Sequence, residues 1–419
     1  MVAKPYQWQH GPLLADHTRR KHKILREYAR EYVIVRCRLP QQTKFRLAIV
    51  DGFAGAGGYS CGAPGSPIIF VEELRSALAQ INLQRLGQAL PLIEIECLLV
   101  LNDADPAAIE LLKERCAPLL AAIKDEQPKL HLMPHYLVGT FEDSYPAIKR
   151  LIERGGYRNV LFNLDQCGHS KVDRDTLIDI MNSAHSAEIF YTFSIEPLLA
   201  FLQKRDPLKL ARQLRHLGIT AANLQSIDGL MSHQGWLGAA EKMVFDVFTT
   251  CARFVSPFSM HNPDGWRYWL IHFANNYRAR QVYNDILHAN KTSQAHFGRS
   301  GLNMLSYDPA QEEGTLYLFS DSDRETAKVQ LIEDIPRMIM QSGDALRVAD
   351  FYEGIYNATA AHKDDVHAAM IECDDLEILT DGGGVRRKPN TIEVGDIIKL
   401  KDQRSFFPMF FGPRKSSDG

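Results

Sequence analysis

No run of about 18 consecutive apolar residues occurs in this sequence, so nothing in it reads as a bilayer-spanning helix. The opening MVAKPYQWQH is too polar for the core of a secretory signal, and a cytoplasmic protein with no membrane partner is expected. Paired cysteines are missing as well. The seven present, at positions 37, 61, 97, 116, 167, 251 and 373, form no CxxC, so neither a zinc site nor a disulfide framework is written here and reduced thiols are expected. No lysine lies between Lys44 and Lys113, which denies the first glycine-rich turn the GxxxxGK[ST] pattern of a triphosphate loop. A strong charge of one sign is absent too: the net charge of −3 argues against a surface coated in nucleic acid but leaves local patches open. Apart from the polar tail PRKSSDG there is no low-complexity segment, and there is no internal repeat.

What is present is a chain of 419 residues, 45% hydrophobic and 24% charged, enough for a sizeable core and for two or three domains. Helix 16–37, strand 45–51, helix 66–86, strand 93–103, helix 106–123, strand 131–139, helix 144–156, strand 159–165, helix 172–184 and strand 188–194 follow one another. This alternation predicts an α/β, doubly wound parallel sheet with helices on both faces, whose ligands sit at the carboxyl ends of the strands. A polar, basic, helical insertion over 197–262 interrupts the pattern, which resumes as strand then helix over 266–289, with a last strand at 314–320. From about 345 the sequence changes to two short helices and a hairpin with a basic, glycine-rich tip, the layout of a small winged-helix-like domain. The expected division is therefore 1–345, 346–412 and the tail 413–419.

The stretch IVDGFAGAGGYSCGAPGSP, Ile49–Pro67, carries the first chemistry. Gly55, Gly57 and Gly58 follow a strand ending in Asp51 and let a ligand approach the backbone closely. A dinucleotide site would open a helix promptly to meet a pyrophosphate, whereas this turn continues irregularly through Pro64 and Pro67. S-adenosylmethionine has no phosphate and needs backbone approach plus carboxylates for its ribose and amino groups. The second strand ends LVLNDADP, which assigns Asp103 to the ribose hydroxyls and Asp105 to the cap of the helix beginning at Pro106.

Three ordered motifs now stand together: KHKILREY (21–28), VDGFAGAGGY (50–59) with PGSP (64–67), and NLDQCG (163–168). With them the chain resembles the three-Cys-motif partner family of bacterial class I methyltransferases. It is more distantly similar to large-subunit rRNA adenine-N6 methyltransferases, which share a Lys-His pair before the first strand and a GSP after the glycine turn. The resemblance, clearest over the first 170 residues, implies a Rossmann-like class I methyltransferase sheet binding S-adenosylmethionine. It implies that Lys21 reaches the methionine carboxylate, that Asp51, Gly52, Phe53, Ala54, Gly55, Gly57 and Tyr59 line the cofactor, and that Ser66 closes the loop beside it. An acid after the third strand would hold the adenine amine. Here GTFED places Phe141 and Glu142 there, with Asp143 as a substitute acid.

The resemblance makes the fourth strand end, FNLDQCGH, the site of chemistry, with Asp165, Gln166, Cys167 and Gly168 as its residues. A base amine is a poor nucleophile because its lone pair is delocalised into the ring. A carboxylate and a carbonyl that accept its hydrogens localise that pair. Where amino-methyltransferases read Asp-Pro-Pro-aromatic, this chain has no aromatic, and Phe190, Tyr191 and Phe193 on the next strand are the substitutes at hand. A rival reading makes Cys167 a covalent nucleophile, as in cytosine-C5 enzymes, although Gln166 replaces their proline. His169 is either a proton carrier or a polar loop residue. Basic positions Lys209, Arg212 and Arg215 in the insertion and Arg386, Arg387 and Lys388 in the hairpin point to RNA or DNA as partner. The leading expectation is a methyltransferase acting on an exocyclic base amine. The alternatives are an accessory cofactor-binding protein working with a three-Cys-motif protein, and a winged-helix nucleic-acid-binding regulator.

Overall fold

The structure, a computed structural model, describes residues 8, 11–166, 171–194, 208, 211–212, 214–220, 243–256, 259–261, 267–290, 294–297, 301–302, 316–317 and 321–401. Its first half is an alternation of β1 (Lys44–Asp51), β2 (Glu94–Asp103), β3 (Leu130–Val138), β4 (Asn159–Leu164) and β5 (Ser186–Ser194) with five helices. These are α1 (Asp16–Arg36), α2 (Ser66–Gly87), α3 (Pro106–Glu126), α4 (Phe141–Gly155) and α5 (Arg174–Ser183). The five strands are parallel and lie in the order β3-β2-β1-β4-β5. Strand β8 (Arg267–Ala274) then runs antiparallel to β5, and β6 (Phe254–Val255) and β7 (Ser259–His261) pair with β8. Strands β9 (Gln294–Phe297) and β10 (Leu316–Tyr317) extend the far edge.

Side-chain alternation explains why this sheet is covered on both faces. In β1, Leu47 and Ile49 join an apolar cluster with Ile24 and Leu25 of α1, Phe70 and Leu74 of α2 and Leu112 of α3. Ala48 and Val50 point the other way, into a cluster with Ile148 and Ile152 of α4 and Leu177 and Ile180 of α5. A strand with both faces buried needs an unbroken apolar run, and β1 and β2 supply one. The doubly wound α/β arrangement is thereby fixed.

Several boundaries move. Helix α4 begins at Phe141, three residues ahead of the anticipated start, because Thr140 caps it by accepting the Asp143 amide and Pro146 is tolerated inside it. Helix α7 (Asp321–Gln341), after α6 (Tyr277–Ala289), has no counterpart among the elements expected from the sequence. It packs against α9 (Lys363–Glu372), tied by Arg324 to Asp365 at 2.6 and 2.8 Å and Lys328 to Glu372 at 2.8 Å. The C-terminal group of elements therefore begins at Asp321, ahead of the expected boundary. It contains α7, β11 (Ala345–Arg347), α8 (Val348–Ile355), α9, β12 (Leu376–Leu379) and β13 (Ile397–Leu400), with the small antiparallel sheet in the order β11-β13-β12. Phe351, Val366 and Ile398 of this group belong to the same apolar cluster as α1 and α6. Most of the insertion lies outside the described residues.

The glycine turn between β1 and α2 is held by its surroundings. A Cβ on Gly52 would lie 2.7 Å from the Phe141 ring and 2.8 Å from Leu164, and one on Gly57 would lie 2.6 Å from Leu112 Cδ1. Gly57 also has φ of +77°, in the left-handed region. We expect Gly57→Ala to lower the unfolding free energy by about 2–3 kcal/mol, since it meets both backbone strain and a packed neighbour. Gly62→Ala, at φ of +81° with nothing within 4 Å, should lose only the strain, about 1 kcal/mol. Urea titrations of both, with Gly57→Ala repeated on a Leu112→Ala background to relieve the clash, check this; equal losses in the two glycine variants would refute it.

Candidate functional site

Because β1 lies between β2 and β4, the ends of these three strands bring together segments far apart in sequence. Asp51 ends β1 and is fully buried. Its Oδ1 accepts the Phe53 amide at 3.3 Å, while its Oδ2 and the neighbouring Asn163 Nδ2 have no hydrogen-bond partner among the described residues. Burial pushes this carboxyl up to about 7, against the opposing influence of the nearby Ser66 and Asn163 side chains. A fully buried acid with an orphaned oxygen beside a glycine turn is the kind of cradle a polar ligand completes. Ser66, buried at the start of α2, lies next to it.

Asp103, at the end of β2, is already engaged. Its Oδ2 accepts the Gly55 amide and its Oδ1 the Asp105 amide, each at 2.9 Å, so it staples the glycine turn to the neighbouring strand. Each oxygen keeps a second lone pair. Asp105 caps α3 through the Ala107 amide at 2.9 Å, and it also receives the indole N–H of Trp8 at 2.5 Å. Trp8 was not foreseen: its ring lies over the turn, 3.5 Å from where a Gly55 Cβ would be. Arg115 of α3 was not foreseen either, and its guanidinium holds the Ala56 carbonyl at 2.7 Å. Asn102 likewise donates to the carbonyls of Gly52 and Gly139 at 3.1 Å. Among the other anticipated positions, Ala54 is buried and donates its amide to the Asn102 carbonyl at 2.9 Å. Phe53 is half-buried with the Lys171 ammonium 5.8 Å from its ring centroid, and Tyr59 stands edge-on to His22.

Asp165 follows β4 on the other side of β1, and here the structure departs from expectation. Lys21 and Asp165, assigned to two different ligands, form an ion pair with each other at 2.5 Å. Burial works against ionisation of Asp165, but the Lys21 ammonium and its hydrogen bond outweigh it and hold the carboxyl below the usual carboxylate range. His17 and His22 flank the pair. Burial, together with the Lys21 charge, lowers both, His22 to about 4, so both rings are neutral at pH 7.

Tyr268 completes the group from the opposite direction. It is the second residue of β8 and pairs with Ser194, so the antiparallel run of β8 carries it to the same end of the sheet as Asp165. Its ring centroid lies 4.8 Å from that of His17 and 5.9 Å from Lys21 Nζ. Its separation from the motifs by about a hundred residues hides it from any local pattern.

Other anticipated positions are engaged within the fold. Gln166 is buried and braces its own loop, donating to the Thr192 carbonyl at 3.2 Å and accepting the Lys171 amide at 2.9 Å. Glu142 spends both oxygens on the start of α5, on the Asp173 amide at 2.8 Å and the Thr176 hydroxyl at 2.7 Å, and Asp143 is taken by Thr140 at 2.6 Å. Phe141 is core beneath Gly52. Phe190 packs on Tyr28 and Tyr283, and Tyr191 and Phe193 pack on Phe248, so all three are core instead of a platform. Arg386 is clamped by Asp396 at 2.9 and 3.1 Å, leaving Arg387 and Lys388 exposed beside it. Arg212 and Arg215 are exposed, whereas Cys167, Gly168, His169 and Lys209 lie outside the described residues.

Among the described residues, no group of three or more His, Cys, Asp or Glu side chains is placed to hold a metal ion, and no helix is long and apolar enough to cross a membrane. Comparison with protein-family models finds no match to this chain, and comparison with curated proteins finds none either. Glu142→Ala should cost about 1–2 kcal/mol of stability in urea, the loss of two bonds at a helix start, and an unchanged urea midpoint would show that these bonds do not hold α5 in place.

Proposed function

We propose that the chain is an S-adenosylmethionine-dependent methyltransferase that acts on an exocyclic amine of a nucleic-acid base. The observation that carries this reading is the convergence of Asp51, the glycine turn and Asp103 at the ends of β1 and β2, with Asp165 one strand away at the end of β4. The first five strands follow a doubly wound order, and ligand crevices lie where such an order reverses. Helix α2 begins only at Ser66, eleven residues beyond Gly55, and the Gly65 amide just before it is already spent on the Gly57 carbonyl at 2.9 Å, so the turn does not open directly into a helix as a pyrophosphate cradle does. The resemblance of KHKILREY, VDGFAGAGGY and NLDQCG supports the same cofactor.

The residues present fit that group. The orphaned oxygen of Asp51 would take its ammonium, the free lone pairs of Asp103 its ribose hydroxyls, and the backbone of Gly52–Gly57 its apolar flank. When bound, the cofactor supplies a methyl group on cationic sulfur, which departs as a neutral thioether once the carbon takes the amine lone pair. Asp165 uses the oxygen that Lys21 leaves open to accept a hydrogen of the amine and turn its lone pair outward. Held in its ionised form by Lys21, Asp165 acts as an acceptor and not as a proton store, so the proton released from the methylated nitrogen goes to water. Asp51, Gln166 and Asn102 hold the turns that fix these distances.

One observation favours a second reading, a cofactor-binding accessory protein for a three-Cys-motif partner: the carboxylate needed for chemistry is already paired. The regulator reading fares less well. It rests on the winged-helix layout expected of the C-terminal elements and on Arg387 and Lys388, exposed at the hairpin, while residues 321–401 as a whole carry 17 acidic against 10 basic side chains.

Tritiated methyl transfer onto mixed RNA and DNA decides among these. Asp165→Ala should lower transfer at least about 100-fold while cofactor affinity stays within about threefold. Cofactor binding without any transfer by the wild type would support the accessory protein, and absence of binding would end both readings. The buried acid gives a second check. Asp51 keeps its proton up to about pH 7 in the free protein, and a cationic ligand needs the ionised form. Affinity should therefore fall as pH drops from 7 towards 5, by at most about tenfold per unit, with proton release visible by calorimetry in two buffers. Asp51→Asn should abolish that slope.

A further inference from the structure

Building on the methyl-transfer reading, we infer that Tyr268, backed by His17, is the aromatic wall on which the substrate ring lies while Asp165 holds its amine, and that this substrate is a neutral nucleobase amine.

Where the resembled motif carries an aromatic, the turn after β4 has Gln166 and Cys167, and the aromatics of β5 are consumed by the core. Among the described residues, Tyr268 presents a ring to the Lys21–Asp165 pair. It comes from the neighbouring antiparallel strand, is half-buried, and lies with Lys21 5.9 Å from its centroid while Lys21 in turn touches Asp165. Its hydroxyl is buried with no hydrogen-bond partner among the described residues. Burial, reinforced by the Asp165 charge, raises that phenol, so it remains a donor at neutral pH. A flat ring beside a carboxylate suits a flat ligand that carries an amine at its edge.

Charge selects the class of amine. The Lys21 ammonium cancels Asp165, and the two flanking histidines are neutral, so the wall presents no net negative charge to a lysine or arginine side chain. A cation brought to Asp165 would also face Lys21 directly. A ring-conjugated amine is uncharged and asks only for an acceptor. The phosphates attached to such a base would meet Arg19, exposed on the first turns of α1, and Lys171, exposed across the cleft.

The test uses the full chain with S-adenosylhomocysteine bound and fluorescein-labelled, mixed-sequence, single-stranded RNA and DNA oligonucleotides, read by anisotropy, which needs no turnover. Tyr268→Ala should weaken oligonucleotide binding about tenfold, Tyr268→Phe should restore it to within about twofold, and calorimetric affinity for S-adenosylhomocysteine should match wild type in both. Should Tyr268→Ala lose its circular-dichroism signal, Tyr268→Leu keeps the bulk without the ring and should show the same tenfold loss. Unchanged oligonucleotide binding in a folded variant overturns the wall, as does equal loss of both affinities, which would mark a structural role. Methyl label passing to an arginine- or lysine-rich peptide in preference to the oligonucleotides overturns the substrate class. If the wild type binds no S-adenosylhomocysteine at all, it is the underlying methyl-transfer reading that fails.

Discussion

The ion pair between Lys21 and Asp165 governs how the strand ends behave as a site. Neither partner is free to wander. Lys21 sits on α1 between Ile24, Leu25 and Tyr28, which are buried against the sheet, and Arg26 and Arg30 anchor the same helix to Glu73 of α2. Asp165 follows directly on a central strand. The pair therefore joins two rigid elements, and removing one charge would leave the other partly desolvated and unpaired. Other cations of α1 are also engaged. Arg20, Lys23, Arg26 and Arg30 each face an acid, leaving the positive rim of the cleft to Arg19 and Lys171.

The carboxylates around the cleft differ less in position than in how many of their lone pairs are already used. Glu142 and Asp105 are spent on helix starts. Asp103 shares itself between two amides and so ties the turn to β2 before any ligand arrives. Asp51 alone of these combines full burial with an unsatisfied oxygen. Such a group destabilises the empty protein, and a ligand that satisfies it recovers that loss, which is how a cleft acquires affinity without new contacts elsewhere.

Much of this was legible in the sequence, and the reason is local. Strands buried on both faces must be unbroken apolar runs, so β1, β2 and β5 declare themselves, and the turn after β1 must be glycine because Phe141, Leu164 and Leu112 fill the space a side chain would need. Asp103, Asp105 and Asp165 stand at strand ends that such runs define. What stayed hidden depends on partners distant in the chain. Nothing near GTFED says that Glu142 will be claimed by Asp173 and Thr176, nor does LNDADP reveal that Asn102 will span two turns. Trp8, Arg115 and Tyr268 reach the site from outside every motif. Helix α7 packs on α9 through partners distant in the chain, Arg324 with Asp365 and Lys328 with Glu372.

The C-terminal elements gain a different meaning from their packing than from their sequence. Their hairpin is basic only where the chain is read in one dimension, since Arg386 turns back to Asp396 and the whole group is acidic. What they do contact is the far side of the first apolar cluster. Tyr352 and Tyr356 stack on Tyr277 at the start of α6, the Asn357 side chain accepts the Val255 amide at 2.9 Å, and Asn290 at the end of α6 donates to Glu27 of α1 at 2.6 Å. Helix α6 thus transmits the position of this group to the helix that carries Lys21. The C-terminal elements pack, in the fold, into the same apolar cluster as α1, and the position of the helix that carries Lys21 depends on a core to which sequence-distant elements contribute.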